Sequence, residues 1–286
     1  MKLFYSPSYV AAAYAFDTTR KSAEIVKSLE VRPIAGVEIV EPRSLTVNEL
    51  VRVHDPRYVE AVRTGLPREL ASSSGFPWDP GVWEAVTASN GGAVAAALEA
   101  LNTGAAAGSL SSGLHHAHRE SGGGFCTFNG LVLAAFAARD AGAERVLILD
   151  FDAHYGDGTA DLIDDEDEFF MVDVSSKWPM PGADYLDRCR RALDEIADSE
   201  GPYDLVIYNA GMDPHEDCRL GGIRGVDRND LESRERLVFG HCSERNWPVA
   251  FVLAGGYANE LLTMDRLVDL HRLTISAALD SPKAKK

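Results

Sequence analysis

The chain has 286 residues, of which 45% are hydrophobic and 25% are charged, proportions that are typical of a folded globular protein and exclude extensive disorder. Its formal net charge of −16, without any dense Lys/Arg cluster, predicts no binding to nucleic acid, because phosphate backbones would be repelled. The chain has no signal-peptide pattern, no apolar stretch of membrane-spanning length and no Cys-x-x-Cys pair, so we expect a cytoplasmic protein with reduced thiols and no membrane partner.

Most of the chain is predicted to alternate short strands with helices. Short apolar runs bounded by Gly, Pro or charge are typical of strands, and apolar residues spaced three or four apart are typical of helices. The alanine-rich helix at 82–101 is expected to be interrupted locally at Gly91 and Gly92 and to pack closely on its neighbours. This alternation predicts an α/β fold with a mainly parallel sheet covered on both faces. In order, the predicted elements are strand 2–5, helix 18–29, strand 37–40, helical segments 45–53 and 54–62, loop 66–80, helix 82–101, helix 131–141, and strands 146–149, 169–174, 205–208 and 250–253.

Charged side chains directly follow the strand at 146–149. Asp150, Asp152 and His154 alternate along an extended chain, so all three can point to one side. A solvated strand end is the alternative interpretation. Burial of unpaired charge costs several kcal/mol or more, which favours a functional role for such a concentration of charge.

A further strand end adds a carboxylate to the same edge, because ligands of open parallel sheets bind beyond the carboxyl ends of the strands. Asp213 follows the strand at 205–208 and, with Asp152 and His154, gives two oxygens and one nitrogen. Three protein ligands with an open position are typical of a catalytic zinc site. Asp213 taken alone would be more typical of a helix cap. The acidic run 161–168 is interpreted as a solvated turn.

Two adjacent histidines, His115 and His116, lie upstream of a glycine-rich loop. Isolated histidines are usually surface or core residues, which is our interpretation of His54, but an adjacent pair is better explained as proton carriers. Nearby carboxylates raise the basicity of an imidazole. Asp150 and Asp157 flank the candidate metal ligands and are available to orient the two rings.

Five motifs follow one another along the chain: Gly-Leu-His-His-Ala at 113–117, Gly-Phe-Cys at 124–126, Asp-Phe-Asp-Ala-His-Tyr-Gly-Asp-Gly at 150–158, Gly-Met-Asp at 211–213 and Gly-Gly-Tyr at 255–257. In this order they resemble the motifs of the histone deacetylase superfamily, which includes bacterial acetylpolyamine amidohydrolases and acetoin-utilisation proteins. With a weaker match at 54–59, the resemblance extends from about residue 54 to residue 257. It implies that residues 1–286 form one catalytic domain with the arginase/deacetylase fold.

The resemblance implies two kinds of metal ion. It assigns zinc to Asp152, His154 and Asp213. It also implies a structural potassium ion held by Asp150, by the backbone carbonyls of Asp152 and His154, and by a serine that looks like Ser175.

The resemblance also implies the residues of the reaction. His115 would pair with Asp150, and His116 with Asp157, as the two imidazoles that handle protons. Tyr257 matches the tyrosine whose hydroxyl donates to the oxyanion. A metal-activated water, a histidine base and an oxyanion donor are the parts that amide hydrolysis needs.

Four residues are predicted to contact substrate. Phe125, preceded by Gly124, matches one wall of an acyl channel. Met180 falls where the opposite wall is commonly aromatic, and an apolar Leu220 falls where polyamine-selective members place a glutamate. Gly75 falls where peptide-directed members carry an aspartate. These departures predict a deacetylase of small N-acylated amines or acyl-lysine side chains with loose demands beyond the acyl amine.

Three alternatives stand beside this prediction. An acetylpolyamine amidohydrolase is the nearest one, because an acidic protein attracts cationic amines. An arginase-like enzyme with two metals would need another Asp-x-Asp at the third site, where this chain has Asp213-Pro214-His215. An inactive binding protein would have lost Tyr257, a histidine of the pair or a ligand, and none is missing. The sequence leaves the oligomeric state open, and also the choice between zinc and ferrous iron.

Overall fold

The computed structural model of the protein describes residues 1–12, 17–175, 184–199 and 202–281. In chain order, its strands are β1 (Lys2–Phe4), β2 (Glu38–Val40), β3 (Ala107–Ser109), β4 (Val146–Asp150), β5 (Phe169–Asp173), β6 (Leu205–Asn209) and β7 (Val249–Val252). They form one sheet in the order β2-β1-β3-β7-β6-β4-β5, and each neighbouring pair is parallel. The predicted parallel α/β sheet is therefore confirmed.

Helices connect the strands, and capping residues in the sequence fix where several of them begin. Asp227, for example, accepts hydrogen bonds from the backbone N–H groups of Asn229 and Asp230. No helix among the described residues has the length and apolar content that a bilayer span requires. The helices are α1 (Asp17–Val31), α2 (Val47–Leu50), α3 (Pro56–Thr64), α4 (Arg68–Ala71), α5 (Gly81–Thr103), α6 (Gly130–Asp140), α7 (Asp157–Ile163), α8 (Tyr185–Ser199), α9 (Arg228–Glu244) and α10 (Met264–Asp280), with a 3₁₀ turn at Pro7–Val10.

Alternate side chains of strand β4, which lies between β6 and β5, enter two separate cores. Leu147 and Leu149 belong to the core that includes side chains of α1, α8, α9 and α10. Val146 and Ile148 belong to the core built with α5 and α6. All of β4 is buried, including its last residue, Asp150. A strand that is apolar on both faces is stable only between two layers of helices, which explains its uninterrupted apolar run.

The structure corrects the expected break in helix α5. The helix runs without interruption through Gly91 and Gly92. A β-carbon on Gly91 would overlap the backbone carbonyl oxygen of Arg43, and one on Gly92 would overlap the Tyr9 hydroxyl. The two glycines therefore permit close packing of neighbouring chain segments, and the predicted close packing is confirmed.

Other elements also differ from the predictions, and helices α7 to α10 were not among the predicted ones. The helical segment expected at 45–53 contains only α2, and the loop expected at 66–80 contains the short helix α4. Strand β3 was not predicted, because its sequence, Ala-Gly-Ser, has none of the β-branched or aromatic residues that are enriched in strands. It is a strand because it lies between β1 and β7, which satisfy its backbone groups.

Candidate active site

The three predicted metal ligands meet beyond the carboxyl ends of β4 and β6. Single ligand atoms of Asp152, His154 and Asp213 all lie within 4.8 Å of one another. His154 Nδ1 is 3.1 Å from Asp152 Oδ1 and 2.8 Å from Asp213 Oδ2. Within the described ranges, this is the one group of three or more His, Cys, Asp or Glu side chains that can hold a metal ion.

The charges of this group suit a divalent cation. Asp152 and Asp213 are both buried, and burial together with the charge of Asp152 raises the pKa of Asp213 to about 7. Hydrogen bonds to the two carboxylates raise the pKa of His154 to about 11, so its ring takes a proton between them. A cation at this point would replace that proton and offset both carboxylates, which is the usual condition for burying such a pair.

Two glycines give the carboxylates their space. A β-carbon on Gly211 would lie 2.5 Å from Asp152 Cα. One on Gly255 would lie 2.6 Å from Asp213 Oδ1 and 2.7 Å from Asp152 Oδ2, and Gly255 has a φ of +57°. Only glycine therefore fits at both positions, so the donor set and its cradle fit a metal ion.

His115 forms a buried pair with Asp150, as the resemblance implies. Its Nδ1 is 2.9 Å from Asp150 Oδ2, and its Nε2 faces Asp152 Oδ1 at 3.8 Å. Burial alone would lower the pKa of His115, but the charges of Asp150 and Asp152 outweigh it and raise the pKa to about 10. The amide of Asn209, opposite Asp150 in the sheet, donates to Asp150 Oδ1 at 2.8 Å. The carboxylate is thereby fixed on both oxygens.

His116 forms a second pair with Asp157 at the start of α7. Its Nδ1 is 2.7 Å from Asp157 Oδ1, and its ring centroid is 4.0 Å from that of His115. Burial and the charge of His115 lower the pKa of His116, although Asp157 opposes the shift. The two imidazoles therefore lie side by side in unlike environments, one held by a buried carboxylate and the other by a partly exposed one.

A small cavity brings five predicted residues together. Its lining includes His115 and Asp152 from the polar group, Gly124 and Phe125 from the loop before α6, and Tyr257 beyond β7. The ring centroids of Phe125 and Tyr257 are 6.2 Å apart. The two rings thus form neighbouring parts of the cavity wall beside the polar residues.

Lys21 in helix α1 is a site residue that the sequence analysis missed. Its side chain is fully buried, and its ammonium donates to the carbonyl oxygen of Gly255 and, at 3.1 Å, to Ser112 Oγ. Burial lowers the pKa of Lys21 to about 7, against the raising effect of Asp213 and Asp152. Lys21 lies four and eight residues before the buried Ile25 and Leu29, so helical spacing places it on the buried face of α1. The sequence analysis did not use this signal, because lysine is usually exposed.

The structure gives different results for the remaining predicted residues of the site. Leu220 is 37% exposed and is not part of the cavity lining, although the next residue, Gly221, packs on His154. Ser175 donates to the partly buried carboxylate of Asp173, another residue that the sequence analysis missed. The potassium ion stays a prediction. Met180 lies outside the described residues.

His54 has the structural contacts that were expected of it. Its Nδ1 is 2.8 Å from the carbonyl oxygen of His118, and its Nε2 accepts the backbone N–H of Asn129 at 2.9 Å. Both ring nitrogens are thus used to hold the main chain beside the histidine pair.

Comparison with known proteins agrees with this fold and site. The model of the histone deacetylase domain family matches residues 15–183. An uncharacterized protein of Picosynechococcus is 34% identical over 271 residues, which cover 88% of each chain. The chain therefore belongs to the histone deacetylase family of amidohydrolases.

Two more distant proteins are also similar to this chain. Histone deacetylase 2 of Arabidopsis thaliana is 29% identical over 246 residues, covering 77% of this chain and 63% of that protein. The solved structure of the acetylpolyamine aminohydrolase from Burkholderia pseudomallei superposes with a TM-score of 0.78 at 19% identity, covering 97% of this chain and 98% of that one. At that identity the likeness shows the shared fold alone.

Proposed function

We propose that the protein is a zinc-dependent amidohydrolase that removes acetyl or other short acyl groups from N-acylated amines. The observation that carries the proposal is that Asp152, His115 and Tyr257 line one cavity. Asp152 belongs to the three-residue metal group, and His115 lies beside the second His–Asp pair. These residues come from distant parts of the chain, and a packing role would not require their chemistry at one point. We propose that the described fold acts as one catalytic domain.

Asp152, His154 and Asp213 would hold the zinc ion, which when bound supplies Lewis acidity that polarises an amide carbonyl and acidifies water. The set contains two carboxylates and one imidazole, and both ligand types suit zinc. The two carboxylates are buried, which strengthens their electrostatic interactions within the site.

The two histidines would move the protons of the reaction. His115 and His116 are adjacent but differ in basicity, so one is suited to accept a proton while the other donates one to the leaving amine. A cation held by the carboxylates would offset their negative charge, which raises the pKa of His115. The pKa of this ring would then fall towards neutral pH. Asp150 and Asp157 would hold the rings by accepting from Nδ1, which directs each Nε2 inward.

Tyr257 would donate its hydroxyl hydrogen to the carbonyl oxygen as negative charge develops there. Its side chain lines the cavity and is mostly buried, so the hydroxyl acts where water competes weakly. Burial, with the charges of Asp213 and Asp152, raises the pKa of Tyr257, so it remains a donor rather than a phenolate at neutral pH.

The substrate is proposed to be recognised chiefly through its acyl-amine group. Phe125 and Tyr257 bound the cavity with aromatic surface, and no Lys or Arg lies among its described lining residues. The net charge of −16 would attract cationic amines without selecting one of them. Acetylated polyamines are therefore expected to be preferred only modestly over acetyl-lysine peptides.

The test compares acetyl-lysine peptides with acetylated polyamines on the purified, zinc-loaded chain. We expect both to be hydrolysed, with kcat/KM values within about a hundredfold of each other, which corresponds to about 2.7 kcal/mol in transition-state binding. A thousandfold preference for acetylpolyamines would replace the broad specificity with polyamine selectivity. Absence of hydrolysis of any acylated amine would overturn the enzyme proposal, and two transition metals per active chain would favour the dinuclear alternative.

A further inference from the structure

A fully buried arginine lies behind the metal group, outside the cavity. Arg234 belongs to helix α9 and has no exposed surface. Its Nη1 donates to the carbonyl oxygen of Gly211 at 2.7 Å and to that of Phe151 at 3.2 Å. Phe151 directly precedes the ligand Asp152, and Gly211 lies two residues before Asp213. One guanidinium thus bridges the two chain segments that carry the carboxylate ligands.

The sheet does not fix these segments at the ligands themselves. The register of β4 and β6 ends at Asp150 opposite Asn209, followed by one hydrogen bond from Phe151 N–H to the carbonyl oxygen of Asn209. Beyond that point, Arg234 links the two segments from behind. Gly211 packs so tightly on Asp152 that movement of either segment would change the separation of the carboxylates.

The charge of Arg234 is balanced where it is buried. Its Nε donates to Glu235 Oε1 at 2.8 Å, and the Tyr208 hydroxyl donates to the same oxygen at 2.9 Å. Nη1 also contacts the Tyr185 hydroxyl at 2.8 Å. Because the adjacent carboxylate offsets the guanidinium, the pair would not repel a cation in the site by its net charge. Its influence on the site is therefore geometric.

A role confined to stability explains this arrangement poorly. Buried ion pairs carry a desolvation cost of several kcal/mol per ion, and well-packed hydrophobic replacements are often neutral or stabilising. A guanidinium does have one property that an apolar side chain lacks, a rigid planar array of donors that fixes several acceptors relative to one another. Here two of those acceptors are the carbonyls beside the metal ligands.

We propose that Arg234 is a positioning residue of the metal site, which sets the separation of Asp152 and Asp213 by binding the carbonyl oxygens of Phe151 and Gly211. The inference rests on the proposed metal function of these carboxylates. Residues that orient metal ligands without touching the metal typically raise metal affinity by about ten- to a hundredfold.

The test uses Co²⁺ as the probe, because its visible absorption reports ligand geometry as well as binding. Arg234→Lys keeps the charge but cannot present the same planar donors. Arg236→Lys, on the exposed face of the same helix, is the matched control. For each metal-free protein, the melting temperature is measured first, and the Co²⁺ dissociation constant and spectrum follow at a temperature where the protein is folded.

We expect Arg234→Lys to bind Co²⁺ about ten- to a hundredfold more weakly with an altered spectrum, and the control to match the wild type. A lower melting temperature with unchanged Co²⁺ affinity and spectrum would overturn the inference and leave Arg234 a purely structural residue. If Arg234→Lys does not fold, Arg234→Met with Glu235→Leu removes both charges together and gives the same two outcomes. If the wild type binds no Co²⁺, the proposed metal site itself fails, and the inference fails with it.

Discussion

Substitution of Gly255 by alanine tests whether the space between the two carboxylates is needed for metal binding. Gly255 combines a φ of +57° with a position against the ligands. Gly142 supplies a matched control, because its φ is +101° and no atom lies within 4 Å of its would-be β-carbon. Both alanine variants introduce backbone strain, but only Gly255→Ala places a methyl group against Asp152 and Asp213.

The expected magnitudes follow from these distances. A positive φ costs a non-glycine residue about 1 to 2 kcal/mol, so both variants should melt roughly 2 to 8 °C lower. The methyl group on Gly255 would lie 2.6 Å from Asp213 Oδ1, so that oxygen must retreat by about 0.8 Å to reach ordinary contact. Asp213 Oδ1 also accepts the backbone N–H of Ala153 at 3.0 Å, which resists this movement. A displacement of about 1 Å at a reacting centre can lower the reaction rate by on the order of a hundredfold.

The assay is the zinc dissociation constant, measured by competition with a chromophoric chelator on each folded, metal-free protein. We expect Gly255→Ala to bind zinc at least tenfold more weakly than Gly142→Ala when both are folded. Equal zinc affinity in the two variants would refute the reasoning, because the carboxylates would then tolerate displacement or would not be ligands.

Three further predictions follow from the site. Tyr257→Phe should lower kcat by on the order of a hundredfold at unchanged zinc content, the usual loss for one oxyanion donor, and full activity would remove Tyr257 from the reaction. Removal of metal by a chelator should abolish amide hydrolysis, and about one equivalent of zinc per chain should restore it, as expected for a three-ligand site; activity that survives chelation would exclude this role. Burial lowers the pKa of His54 to about 4 from an ordinary value near 6.5, so unfolding takes up a proton between these values, and the neutral ring stabilises the fold above pH 6.5. The free energy of unfolding, measured by urea titration, should therefore fall by up to about 3 kcal/mol from pH 6.5 to 4. It should fall less in His54→Gln, and an equal fall in both proteins would contradict the prediction.

The sequence by itself determined strand β4 and the residues at its end. The apolar run of β4 is buried on both faces, and its alternation with charge put Asp150, Asp152 and His154 at one edge. Parallel strands end at the same edge of a sheet, so Asp213 could be predicted to join them without a structure. The ordered motifs also predicted the His–Asp pairs, whose ring-to-carboxylate distances of 2.9 and 2.7 Å agree with that pairing.

Other features were decided only by tertiary structure. Strand β3 has no local strand signal and exists because its neighbours satisfy its backbone groups. Helix α5 continues through two glycines because close packing stabilises it more than local propensity disfavours it.

The contacts of Lys21 and Arg234 were likewise inaccessible to the sequence. Lysine and arginine side chains are usually exposed, yet each of these is fully buried and donates to the backbone of a distant segment. A hydrogen bond from a side chain to a backbone carbonyl leaves no trace in the identity of the accepting residue, because every residue has that carbonyl. The sequence therefore predicted the candidate metal ligands and the histidine pair, and the tertiary structure alone decided which buried cations hold the backbone around them.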